Sequence, residues 1–135
     1  MRKNILVKQW LLMLTLITLI LVPAMALPQT APKGSSSEFA AFWKEFKTAV
    51  AADDKEAVAG MTKLPIYLEN KARDKAGFLK LYPKLFSAKV KKYFATAKPV
   101  KEYNEDSYSV FCGQTIYVFS RVDGKYKFTD MGVND

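Results

Sequence analysis

The sequence predicts an α+β domain in which N-terminal helices pack on a curved antiparallel sheet ending in a three-stranded meander. Three observations lead there. An apolar stripe at helical spacing runs from Phe39 to Val50, the period changes from helical to alternating at Val100, and two tight-turn signatures, Gly113-Gln114 and Asp123-Gly124, punctuate the C-terminal part. A chain of 135 residues supports one such domain and no more.

Residues 1–26 read as a leader rather than as fold. Arg2, Lys3 and Lys8 give a positive start, Trp10 to Val22 is apolar except for Thr15 and Thr18, and Ala24-Met25-Ala26 is a small-x-small cleavage site. Export to the periplasm or the exterior is the consequence, with a mature chain starting at Leu27. The alternative is an uncleaved membrane anchor over Trp10 to Leu27, which Pro23 interrupts. Residues 27–34, with Pro28, Pro32 and Gly34, form a flexible lead-in, and the domain occupies 35–135.

Ser35 and Glu38 have capping-box spacing, so the first helix begins near Ser36. Phe39, Phe42, Trp43, Phe46 and Val50 form its stripe, which reads as core rather than as a ligand box. Asp53-Asp54 closes this helix and caps a second, short one ending at Gly60. Pro65 limits Lys63 to Leu68 to a short edge strand. Asp74 caps a third helix carrying Phe78, Leu81, Tyr82 and Leu85, which Pro83 should end or kink at Tyr82. A fourth helical piece runs from Ser87 to about Ala97, with Val90 and Phe94 on its apolar side, and Lys98-Pro99 stops it.

Register in the meander follows from its turns. Counting from Asp123-Gly124 pairs Val122 with Lys125, Phe119 with Phe128 and Tyr117 with Asp130. Counting from Gly113-Gln114 pairs Cys112 with Thr115, Val110 with Tyr117 and Tyr108 with Phe119. Since opposed residues share a face, Tyr108, Val110, Cys112, Thr115, Tyr117, Phe119, Arg121, Tyr126, Phe128 and Asp130 are expected to face the helices. Ser107, Ser109, Phe111, Ile116, Val118, Ser120, Lys125, Lys127 and Thr129 take the more solvated side.

Helices first, Phe-x-x-Phe-Trp-x-x-Phe on the opening one, an acidic break before a short second helix, and a closing meander ending in Asp-Gly-Lys-Tyr-Lys-Phe resemble the nuclear-transport-factor-like, cystatin-like cone superfamily. The likeness spans about Ser36 to Val133. It implies a sheet wrapped round a long first helix, in a superfamily that hosts enzymes, ligand binders and assembly modules. The His found in the pocket of its catalytic members has no counterpart here.

Composition narrows the chemistry. With no His and one Cys, the chain by itself supplies no His/Cys zinc site, no Ser-His-Asp or Cys-His nucleophile and no internal disulfide. No cofactor is implied. Asp130, opposite Tyr117 in a mostly apolar row, would be biased toward its neutral form, as a general acid or a ligand-orienting group requires. Its structural reading is a rim acid or a partner for the Tyr117 hydroxyl. Arg121 on the same face reads as a rim residue whose stem covers Tyr126 and whose head reaches water. Cys112 reads as a small buried hydrophobe; an odd Cys in an exported chain also offers an intermolecular disulfide, and hence a homodimer.

Charge is the most uneven feature. Removing the three basic leader residues from the 21 of the whole chain leaves 18 against 13 acids, a net +5. Eight lysines, Lys75, Lys80, Lys84, Lys89, Lys91, Lys92, Lys98 and Lys101, lie between Asp74 and Glu102 with no acid among them. Export argues against a nucleic-acid partner, and the interleaved aromatics keep core spacing. The stretch therefore reads as a solvated lysine face or as a contact with an anionic envelope surface, with Lys84, Lys91 and Lys92 as its candidates. The functional expectation is an exported noncatalytic domain that binds a small ligand or a protein partner through the helix-facing side of its sheet, with Tyr117, Asp130 and Arg121, or through its lysines. The alternative is a small cone-fold enzyme using Asp130 with Tyr117 as acid and base. A deep pocket around Asp130 would favour the enzyme; a filled core with exposed lysines would favour the binding module.

Overall fold

Helix α1 (Ser36–Ala51) begins where the capping pattern predicts and buries Phe39, Trp43, Phe46, Ala49 and Val50, with Phe42 packed at the edge of the same stripe. The computed structural model describes residues 36–103 and 106–134; the expected leader, cleavage site and lead-in, and Ser35 of the expected capping box, lie outside the described residues. After α1 the chain turns through Asp53, and Asp54 caps α2 (Lys55–Gly60) by accepting the Ala57 N–H at 3.0 Å.

The segment containing Pro65 yields β1 (Ile66–Leu68), shorter than the expected Lys63 to Leu68. Unexpectedly it has its own partner, β2 (Lys71–Arg73), across a tight turn in which Glu69 and Asn70 both take positive φ, +52° and +58°. Asp74 caps α3 (Lys75–Leu85), its Oδ1 accepting the Gly77 N–H at 2.8 Å. This helix does not stop at Tyr82. Pro83 lacks an N–H, but so close to the C-terminus it forfeits a single bond, while Phe78, Tyr82 and Leu85 are held in the core on either side of it. Ser87 then caps α4 (Ala88–Thr96).

The sheet has the order β3-β4-β5-β6, with β3 (Val100–Lys101), β4 (Ser107–Cys112), β5 (Thr115–Val122) and β6 (Lys125–Val133), all antiparallel. The last three form the predicted meander, and β3 adds a two-residue fourth strand. Gly113 sits at φ +64°, and Asp123 and Gly124 at +50° and +80°, the left-handed values their turns demand. The pairs counted from the β4–β5 turn occur, as do Val122 with Lys125 and Phe119 with Phe128.

Beyond Phe128 the count fails. A bulge inserts Thr129, so Val118 faces Asp130 and Tyr117 faces Met131. The expected Tyr117–Asp130 pair is therefore corrected: the extra residue returns Met131 to the helix side and sends Asp130 to the opposite one. The solvated face needs a second correction. Ser107 and Ser109 are buried, Val100 of β3 lying across from Ser109, whose hydroxyl donates to the Glu102 carboxylate.

Between the layers the packing is ring against ring. Phe119 meets Phe46 at 5.0 Å and Trp43 at 5.4 Å, Tyr117 meets Phe94 at 5.0 Å, and Tyr108 stacks on Phe39 at 3.6 Å. Each fully buried aromatic contributes roughly 1.5–3 kcal/mol by leaving water, so this cluster dominates the stability of the domain. The outer edge of β6 is covered at one point, where Phe128 donates its N–H to Met61 and accepts from Lys63 N–H, both at 2.8 Å.

Candidate functional site

Tyr117 lies in the core rather than in a pocket. Its hydroxyl donates to the Leu85 carbonyl at 2.6 Å, and its ring is enclosed by Phe86, Phe94 and Phe128. Burial pushes its pKa well above the ordinary phenol value. A proton so firmly held serves to join α3 to the sheet and is of no use to acid–base exchange near neutral pH. Asp130 is exposed on the other face, where its Oδ1 accepts the Met131 N–H at 2.8 Å. The structure thus separates the two groups whose proximity the enzyme alternative requires.

Arg121 does lie at the rim over Tyr126, with its guanidinium carbon 4.6 Å from the ring centroid. Its head is not in water, however. It ion-pairs with Glu38 and with Asp106 at 2.7 Å, and donates to the Gly124 carbonyl at 2.8 Å. The Tyr126 hydroxyl donates to Asp106 as well. The Tyr126 bond and the Arg121 charge hold the Asp106 carboxyl below its usual range, while burial and Asp106 push Tyr126 up to about 12. These bonds fasten the first turn of α1 to the sheet. Sequence reading missed Glu38 and Asp106 as partners. Cys112 is a buried free thiol at the end of β4, in its expected place on the packed face.

The lysines divide into two groups. Lys75 pairs with Glu56 at 2.6 Å, Lys84 with Glu69, and Lys91 with Asp53 at 2.5 Å. Two of the three residues expected at an anionic contact, Lys84 and Lys91, are therefore matched by acids from outside the run. Among the described residues Lys80, Lys89, Lys92, Lys98 and Lys101 have no ion pair. Helical geometry explains the split on α4: Lys89, Lys92, Tyr93 and Thr96 cluster on the outward face, whereas Lys91 flanks the Val90 and Phe94 side and turns toward Asp53.

Two open grooves follow α1. One of about 740 Å³ runs toward α2 over Ala41, Ala49, Ala57 and Met61, and one of about 420 Å³ lies between Phe42 and the β5–β6 turn. Neither is lined by Tyr117 or Asp130. Among the described residues no cluster of Cys, Asp and Glu has a metal-holding arrangement, and no helix is long and apolar enough to cross a membrane. No family model, curated protein or solved structure matches this chain.

Proposed function

We propose that this chain is an exported, noncatalytic binding domain, similar in element order to the cone superfamily, that meets an anionic membrane surface through the outward face of α4. The observation that carries the reading is the sorting of the lysines. Acids neutralise Lys75, Lys84 and Lys91, and of the five lysines of the run left without an ion pair, Lys89 and Lys92 flank the half-exposed Tyr93 on α4 and Lys98 lies just beyond the helix. An amphipathic ring flanked by ammonium groups suits the boundary between head groups and water. The leader supports export. Two features favour binding over catalysis: the acid and the phenol of the enzyme reading lie on opposite faces of the sheet, and interlocked rings occupy the space a ligand inside a cone would need.

Sedimentation with vesicles tests this. Each lysine near an anionic surface is worth about 1 kcal/mol, so replacing Lys89, Lys92 and Lys98 by Gln should weaken binding about 100-fold. Binding of the native protein should require anionic lipid and fall as salt rises, because the Debye length shrinks from about 10 Å at 0.1 M to about 3 Å at 1 M. Absence of binding at low salt, or indifference to the three substitutions, would overturn the reading.

A further inference from the structure

The face of the sheet turned away from the helices carries apolar side chains that take no part in the core. Val100 is 53 % exposed and Phe111 40 %, while Ile116, Val118 and Val122 are half-buried, and none of the five belongs to the core cluster or packs against it. Register makes them neighbours. Phe111 lies beside Ile116, Val118 beside Ser109, and Ser109 beside Val100. Contiguous apolar surface of this kind marks a place of contact.

The charges on this face have an order. Glu102 follows β3, donates its N–H to the Ser107 carbonyl at 3.0 Å, and accepts the Ser109 hydroxyl on its carboxylate, which places it on the outer side. Ser107 pairs with Ser120, and Ser120 with Lys127. Glu102, Ser107, Ser120 and Lys127 thus form one row across the sheet, with an acid at the β3 edge and a base at the β6 edge. Three strand spacings separate them, about 14 Å, and neither has an ion pair among the described residues.

We propose that this face binds a second copy of the chain, with the two sheets stacked about a two-fold axis that runs along the strands between β4 and β5. Such an axis lays each β6 over the partner's β3 and each β4 over the partner's β5. Lys127 then meets the partner's Glu102, and Phe111 meets the partner's Ile116, each contact occurring twice. Charge selects this occupant over others. The face holds two acids, Glu102 and Asp130, and two bases, Lys125 and Lys127, so a partner of one sign would meet like charge somewhere on it, whereas a second copy presents the same row reversed. Size makes the dimer a reversible one. Strands of six, eight and nine residues occupy about 14 Å by 27 Å in plan, so two copies cover about 800 Å² between them, less than a permanent interface buries. The dimer does not rest on the membrane reading, whose lysines lie on α4 and just beyond it.

Sedimentation velocity of the released protein, from about 1 μM to about 1 mM, tests this in a thiol reductant that removes any Cys112 disulfide and with no lipid present. The average mass should climb toward twice that of the monomer as concentration rises. Phe111→Asp, at an exposed position, should keep the chain monomeric throughout and leave the Tm unchanged; if the Tm falls, Val100→Asp on the short edge strand takes its place. Glu102→Lys and Lys127→Glu each set like charges against one another across the interface, and each should weaken the dimer about tenfold or more. The double exchange should restore it, because opposite charges face each other again. A chain that stays monomeric at every concentration, a dimer indifferent to these substitutions, or a double exchange no better than the single ones would overturn the proposal.

Discussion

Arg121 joins positions remote in sequence, since Glu38 is 83 residues away and Asp106 is 15. One of these contacts was within reach of the sequence. The pair Ser107 with Ser120, extended one step, sets Asp106 against Arg121, and the Arg121 N–H does donate to the Asp106 carbonyl at 3.1 Å. The Glu38 contact was not, because no local pattern records how the first turn of a helix lies over a distant strand. Asp106 gives the knot a pH dependence of definite sign. Its folded carboxyl titrates below the ordinary 3.8, so its contribution is fully present above that value and is lost as pH falls through the folded one. Asp106→Asn should therefore lower the Tm at neutral pH, and the gap from the native protein should close as pH drops below about 4. Circular dichroism melts at stepped pH values check this; a gap constant down to pH 3 would refute it.

At the scale of elements, the helix starts, both meander turns and the inward row from Tyr108 to Phe128 were legible, because caps, left-handed turn residues and periodicity are local signals. The bulge was not. Nothing in Phe128-Thr129-Asp130 marks an extra residue, and one insertion is enough to reverse the facing of an acid. The β2 strand escaped for a related reason: Lys71-Ala72-Arg73 is three residues long and has no alternation to read. The bulge makes an unusual prediction. Deleting Thr129 keeps Phe128 inward and Met131 inward, and removes only its hydroxyl bonds to the Val118 carbonyl at 3.3 Å and the Ser120 hydroxyl at 3.2 Å. The loss should be about 1–2 kcal/mol. Deleting Lys127 instead shifts Phe128 to the outer face, and should cost at least the roughly 3–5 kcal/mol of a core aromatic. Urea denaturation of the two variants decides the matter, and equal losses would contradict the register.

Across the whole molecule, the run of lysines looked like one feature in the sequence and is two in space, because the neutralising acids Asp53, Glu56 and Glu69 come from elements that precede it. Only the tertiary fold reveals which charges remain free. The proposed export carries its own prediction: the intact mass of the released protein should correspond to a start at Leu27, and a membrane-bound species retaining Met1 would contradict it. Processing at that point would have an optical consequence. Trp10 would leave with the leader, and a chain starting at Leu27 keeps one indole, Trp43, held against Phe46, Phe94 and Phe119. Those neighbours belong to α1, α4 and β5, so its emission is a single-site gauge of whether the helical layer is seated on the sheet. A blue-shifted spectrum that reddens in step with loss of strand signal would report one cooperative unit, and earlier reddening would reveal helices that lift away first.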